Sequence, residues 1–197
     1  MSLLENLLSR LDGDALSKLS SSIGADERNT KDAVGAALPV LLGAITKQAR
    51  SQEGAASLDA ALSRDHDGGV LEQLGDLFQG GRNDKAGDGD GILRHLFGGK
   101  RSAVESGLSK STGLDASTIG SLLPKLAPLV MGALGREKQK QGLGLEGLMG
   151  LLSKEEGDIE AKAPGMGGLL GSFLDQDGDG DLDLADAAKG LLGKLGL

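Results

Sequence analysis

The stretch Asp175-Gln-Asp-Gly-Asp-Gly-Asp-Leu-Asp-Leu-Ala-Asp186 puts an oxygen donor at nearly every second residue. A hard divalent cation held by one loop needs oxygens at loop positions 1, 3, 5, 7, 9 and 12, and a glycine at 6 for the sharp turn. Asp175, Asp177, Asp179, Asp183 and Asp186 supply side chains at positions 1, 3, 5, 9 and 12. Asp181 supplies its backbone carbonyl at position 7, and Gly180 stands at 6. Leu182, at position 8, is the apolar residue that would pack the loop onto its flanks. Carboxylates ~5 Å apart repel by roughly 1–3 kcal/mol per pair at an effective dielectric of ~20–60. A divalent cation removes that repulsion, so the stretch predicts one Ca²⁺ site. Mg²⁺ suits it less, because that ion prefers a smaller octahedral cage. The competing expectation is an acidic solubilising tail that binds nothing specific.

Other residues with chemical potential are sparser. Asp65-His-Asp-Gly-Gly-Val70 and Asp88-Gly-Asp-Gly-Ile-Leu93 repeat the Asp-x-Asp-Gly core of the loop. Aligned on the glycine, their position 12 falls on Leu74 or Phe97, which cannot ligate. These aspartates are therefore expected to cap helices, where the positive N-terminus favours a carboxylate. A degenerate cation site is the alternative. His66 and His95 are the chain's two histidines. Either would need a converging carboxylate to act as a base. The chain has no cysteine, no Gly-x-Ser-x-Gly elbow and no phosphate loop, so no catalytic residue is assigned. The glycine pairs 80–81, 98–99 and 167–168 are expected helix stops, and the basic run Arg136 to Lys140 suits a helix C-terminus.

The elements that must position these residues are helical. Glycine numbers 34 and aromatics make up only 2%, so a core must come from Leu, Ala, Val and Ile, with Phe78, Phe97 and Phe173 as the large rings. Few β-branched or aromatic residues make poor strands, and Leu and Ala favour helices. Leu3, Leu4, Leu7, Leu8 and Leu11 share one helical face. A second helix is expected from Asp14, ended by Gly24, and a short one over 57–63. Between them Thr30 is expected to cap a longer helix, kinked at Pro39. Leu-rich segments near 69–78 and 91–97 flank a glycine-rich loop over 80–89.

The first pattern then returns. Ala37-Leu-Pro-Val-Leu-Leu-Gly-Ala-Ile45 resembles Leu126-Ala-Pro-Leu-Val-Met-Gly-Ala-Leu134, and Pro39 and Pro128 lie 128 − 39 = 89 positions apart. Ser22 to Asp26 and Ser111 to Asp115 match at the same offset, as do residues 56–60 and 145–149. One offset across three blocks predicts a duplicated helical unit with a kinked central helix in each copy, covering about 14–64 and 103–153. The expected organisation is a helical body over 1–152, a linker over 153–167, and a helix–loop–helix over 168–197. The fold class is all-α.

The loop from Asp175 resembles EF-hand calcium loops. It is also similar to the shorter loops of dockerin modules, which accept Asp at position 12 where EF-hands usually carry the longer Glu. Gly91-Ile-Leu-Arg-His-Leu-Phe-Gly-Gly-Lys-Arg-Ser-Ala-Val-Glu105 and Leu122-Leu-Pro-Lys-Leu-Ala-Pro-Leu-Val-Met-Gly-Ala-Leu134 resemble the YidB-like family of bacterial proteins of unknown function. The resemblance covers roughly 14–152. It implies an all-helical fold and a bacterial source, and it carries no activity to transfer.

A net charge of -8 disfavours binding to a nucleic-acid backbone, which needs clustered Lys and Arg. The N-terminus lacks the basic start and continuous apolar run of a secretory signal. No uninterrupted apolar run reaches the ~18 residues expected of a membrane span. The expected location is cytoplasmic. The expected function is non-enzymatic: a calcium-binding helical protein of interaction or self-assembly type, as a homo-oligomer or with a protein partner. A purely structural helical module with an acidic tail is the alternative. An enzyme using His66 or His95 ranks third.

Overall fold

A computed structural model describes residues 2–79 and 85–162, and every regular element among them is helical. Helix α1 (Leu3–Arg10) starts at a capping box. The Ser2 hydroxyl accepts from the Glu5 amide at 3.2 Å, and the Glu5 carboxylate accepts from the Ser2 amide at 2.9 Å. Helices α2 (Asp14–Ile23), α3 (Glu27–Ala49) and α4 (Gln52–Arg64) follow with short connections. A single 3₁₀ turn (Gly69–Glu72) leads into the short α5 (Leu74–Phe78). The chain continues through α6 (Gly89–Phe97), α7 (Arg101–Thr112), α8 (Ala116–Gln141) and α9 (Leu145–Lys162).

The junctions before the two long helices share their chemistry. Helix α2 ends at Gly24 (φ 71°) and α7 at Gly113 (φ 76°), both in the left-handed conformation that glycine adopts without a Cβ penalty. Two residues on, Asp26 caps α3 by accepting from the Asn29 amide at 2.9 Å, and Asp115 caps α8 by accepting from Thr118 at the same distance. Both pairs keep the 89-residue offset (113 − 24 and 115 − 26). Asp26 thus takes the place expected for Thr30. That threonine lies one turn inside α3, fully buried, with its hydroxyl donating to the Asp26 carbonyl at 2.8 Å.

Helix α8 is the hub. It packs against α1, α2, α3, α4, α6 and α7 and against the 3₁₀ turn. Ile119, Leu122, Leu123, Leu126, Val130 and Leu134 are all fully buried. A helix apolar on nearly every side is stable in water only when other elements surround it. By length and composition α8 could cross a membrane, but 72% of its apolar window is buried inside this body, as in a core helix. Both long helices run through their prolines: Pro39 in α3, and Pro124 and Pro128 in α8.

One expected boundary differs. Residues 153–162, expected as part of a linker, are the second half of α9. Leu148, Leu152, Glu155 and Ile159 form one buried stripe at spacings of four, three and four. Glu155 hides that stripe from a hydrophobicity pattern. Its carboxylate is buried because it reaches the N-terminus of α1, accepting from the Leu3 amide at 2.8 Å and from the Leu4 amide at 3.4 Å. Helix α4 is also longer than the expected 57–63, since Ser51 caps it by accepting from the Gly54 amide at 3.0 Å.

Candidate functional site

The six aspartates of the predicted cation loop, Asp175 to Asp186, lie outside the described residues. The two incomplete echoes lie within them, and both rest on α8.

At the first echo, Asp65 ends α4 and pairs with Arg64 at 2.9 Å. The Asp67 side chain accepts from the Gly69 amide at 2.9 Å, closing a tight turn ahead of the 3₁₀ segment. His66 is 5% exposed. Its backbone carbonyl faces Gly135 of α8 so closely that a Cβ there would overlap the oxygen.

At the second echo, Asp88 is the N-cap of α6, accepting from the Gly91 amide at 2.8 Å. Asp90, in the first turn, pairs with Arg101 at 2.6 Å. Gly89 lies against the Pro124 carbonyl of α8, where a Cβ would again overlap the oxygen. The aspartates at both loops thus serve turns, caps and ion pairs. The capping expectation holds at Asp88, whereas Asp65 sits at a helix C-terminus.

Near the second echo, the contacts with α8 have a backbone cause. Proline brings no N–H, so a helical proline leaves the carbonyl four residues earlier without its usual donor. Pro124 deprives Gly120, and Pro128 deprives Pro124. The Gly120 carbonyl receives Arg101 Nη2 at 3.4 Å. The Pro124 carbonyl faces a Cα hydrogen of Gly89, a weak but recurrent type of contact. Arg101 also binds Glu105 at 2.7 Å, so one guanidinium joins α6, α7 and α8.

His95 is exposed on α6, while His66 is buried at the end of α4. Among the described residues no three His, Asp or Glu side chains are grouped to hold a metal.

A cleft of about 650 Å³ opens between α2, α5 and α8, and sequence reasoning gave no sign of it. Ser17, Lys18, Ser21 and Ser22 line one side, and Phe78, Gln79 and Lys125 the other. Lys125 Nζ donates to the Phe78 carbonyl at 2.7 Å, and burial lowers its pKa from the ordinary lysine value. A smaller cleft of about 190 Å³ lies where α1 meets α8. Its cations have partners: Arg136 pairs with Glu72 at 3.0 Å, Lys140 with Glu137 at 3.9 Å, and Arg10 binds the Asn6 side chain at 2.9 Å.

Residues 5–137 match the family model described as bacterial protein of unknown function, DUF937. The chain belongs to this family. The DUF937 match runs from α1 into the last turns of α8, so the glycine contacts with α8, Arg101 and the larger cleft all fall inside it. Helix α9, with Glu155, and the aspartate-rich loop follow it. No curated protein and no solved structure matched this DUF937 chain.

Proposed function

We propose that this DUF937 protein is a non-enzymatic, calcium-binding helical protein of interaction or self-assembly type, working in the cytoplasm. The observation that carries the proposal is the spacing from Asp175 to Asp186, with Gly180 at the turn position and Leu182 after it. Ca²⁺ would be held by the side chains of Asp175, Asp177, Asp179, Asp183 and Asp186 and by the Asp181 carbonyl. Binding would cancel the mutual repulsion of the aspartates. The body is read as a duplicated unit of the YidB-like kind, supported by the shared glycine and aspartate caps 89 residues apart.

Calorimetry with Ca²⁺ and with Mg²⁺ tests the metal. Wild type should bind one Ca²⁺ more tightly than Mg²⁺, and an Asp175→Ala/Asp179→Ala variant should lose the heat. Equal heats from the two proteins, or none from wild type, would overturn the calcium assignment. Sedimentation velocity with and without Ca²⁺ tests assembly. An unchanged sedimentation coefficient across protein concentrations would remove the self-assembly part.

A further inference from the structure

We propose that the cleft between α2, α5 and α8 is a receptor for a small oxyanion, a phosphate group or a carboxylate, held by Lys125 and Lys18 and by the hydroxyls on the facing side of α2.

An ammonium has three donors and no acceptor. Lys125 spends one on the Phe78 carbonyl. No carboxylate pairs with it among the described residues, in contrast to Lys18, Lys138 and, in the smaller cleft, Arg136 and Lys140. Burial makes its charged form costly, and a lysine in that state gains most from an incoming anion. Across the cleft, Ser17, Lys18, Ser21 and Ser22 fall on one face of α2, spaced by one and four residues. Ser22 turns its hydroxyl back to the Leu19 carbonyl at 2.7 Å. The Ser17 and Ser21 hydroxyls have no bond among the described residues and remain able to donate. Lys18 is held on this face by Asp14 at 2.7 Å.

Two ammonium groups, two hydroxyls and the Gln79 amide therefore line one concavity. Asp14 offsets the Lys18 charge, so Lys125 supplies the uncompensated ammonium among the described residues of this cleft. The volume suits a small organic ligand, for which pockets of roughly 300–1,000 Å³ are usual. The donor set is more polar than an apolar ligand would require.

The test is an NMR titration of the full chain with inorganic phosphate at constant ionic strength, observing backbone amides. Parallel titrations use phenyl phosphate and tricarballylate. Saturable shifts should be confined to the amides of Ser17, Lys18, Ser21, Gln79 and Lys125. Lys125→Met should weaken phosphate binding by about tenfold or more, the usual scale of a lost charged hydrogen bond. Ser21→Asp places a carboxylate in the cleft from an exposed position that does not endanger folding, and should abolish saturation. Tighter binding of phenyl phosphate would assign a phosphate ester, and tighter binding of tricarballylate a polycarboxylate. Linear shifts with all three probes, shifts scattered over the surface, or identical saturation in wild type and Ser21→Asp would overturn the proposal.

Discussion

Helices α3 and α8 answer the same backbone defect in opposite ways. Pro39 deprives the Gly35 carbonyl of its donor, but Gly35 lies on the exposed side of α3 and no neighbour approaches it. Water can complete that hydrogen bond. Pro124 and Pro128 create the same defect inside the hub, where water has less access. There the protein supplies Arg101 to one carbonyl and the Gly89 backbone to the next. An interior proline costs a helix about 3 kcal/mol, and how much is recovered depends on what surrounds the orphaned group. In α8 the defects have become docking points: the start of α6 at Gly89 and the start of α7 at Arg101 rest on the carbonyls that proline left open.

The widest test of this contrast uses one substitution at two glycines. Gly89→Ala drives a Cβ into the Pro124 carbonyl that Pro128 left open and should destabilise by about 2–3 kcal/mol, read as a lower urea midpoint. Gly35→Ala meets open space and should stabilise by about 0.5–1 kcal/mol through the higher helix propensity of alanine. Equal effects at the two sites would mean that the hub is no tighter than the surface.

Arg101→Met should come next. It uncovers the Gly120 carbonyl and frees Asp90 and Glu105, for an expected loss of about 1–2 kcal/mol. If the same loss appears in Lys31→Met, which only breaks an exposed 3.4 Å pair with Asp12 next to α3, the carbonyl contact contributes nothing.

The smallest effect belongs to the caps. The hydroxyls of Ser117 and Thr118 and the Thr118 amide hold the Asp115 carboxyl well below its usual pKa. A depressed folded-state pKa adds stability that is present above about pH 4 and is lost as the pH falls through the folded value. Melting temperatures of wild type and Asp115→Asn should therefore differ near neutrality and converge in acid. A constant gap down to pH 2 would remove the ionised carboxylate from the account.

Much of the architecture is written locally. Leucine spacing marks α1, Gly24 ends α2, and Asp88 announces the cap of α6 in its own Asp-x-Asp-Gly signature. One miss is local: Asp26, a stronger cap type than Thr30, stands ahead of the first free amides and accepts from Asn29 three residues on. What is otherwise lost in the sequence depends on a distant partner. Glu155 reads as a solvated charge because its partners, the Leu3 and Leu4 amides, lie about 150 residues away in the chain. Lys125 reads as one more surface lysine for the same reason, with Phe78 lying 47 residues earlier. The candidate site divides along that line. The proposed cation loop could be read at all because a single-loop site would be contiguous, and the Lys125 cleft is invisible because three helices build it.

The contact between Glu155 and α1 also has a consequence in time. The first helix of the chain gains a buried acceptor for its leading amides only when residue 155 exists. During synthesis the whole DUF937-matched segment, residues 5–137, precedes the residue that caps its first helix. Contacts of such long sequence separation form late and slow folding. Helix α1 can pack on α3 and α8 earlier, but its leading amides should gain full protection only when α9 docks.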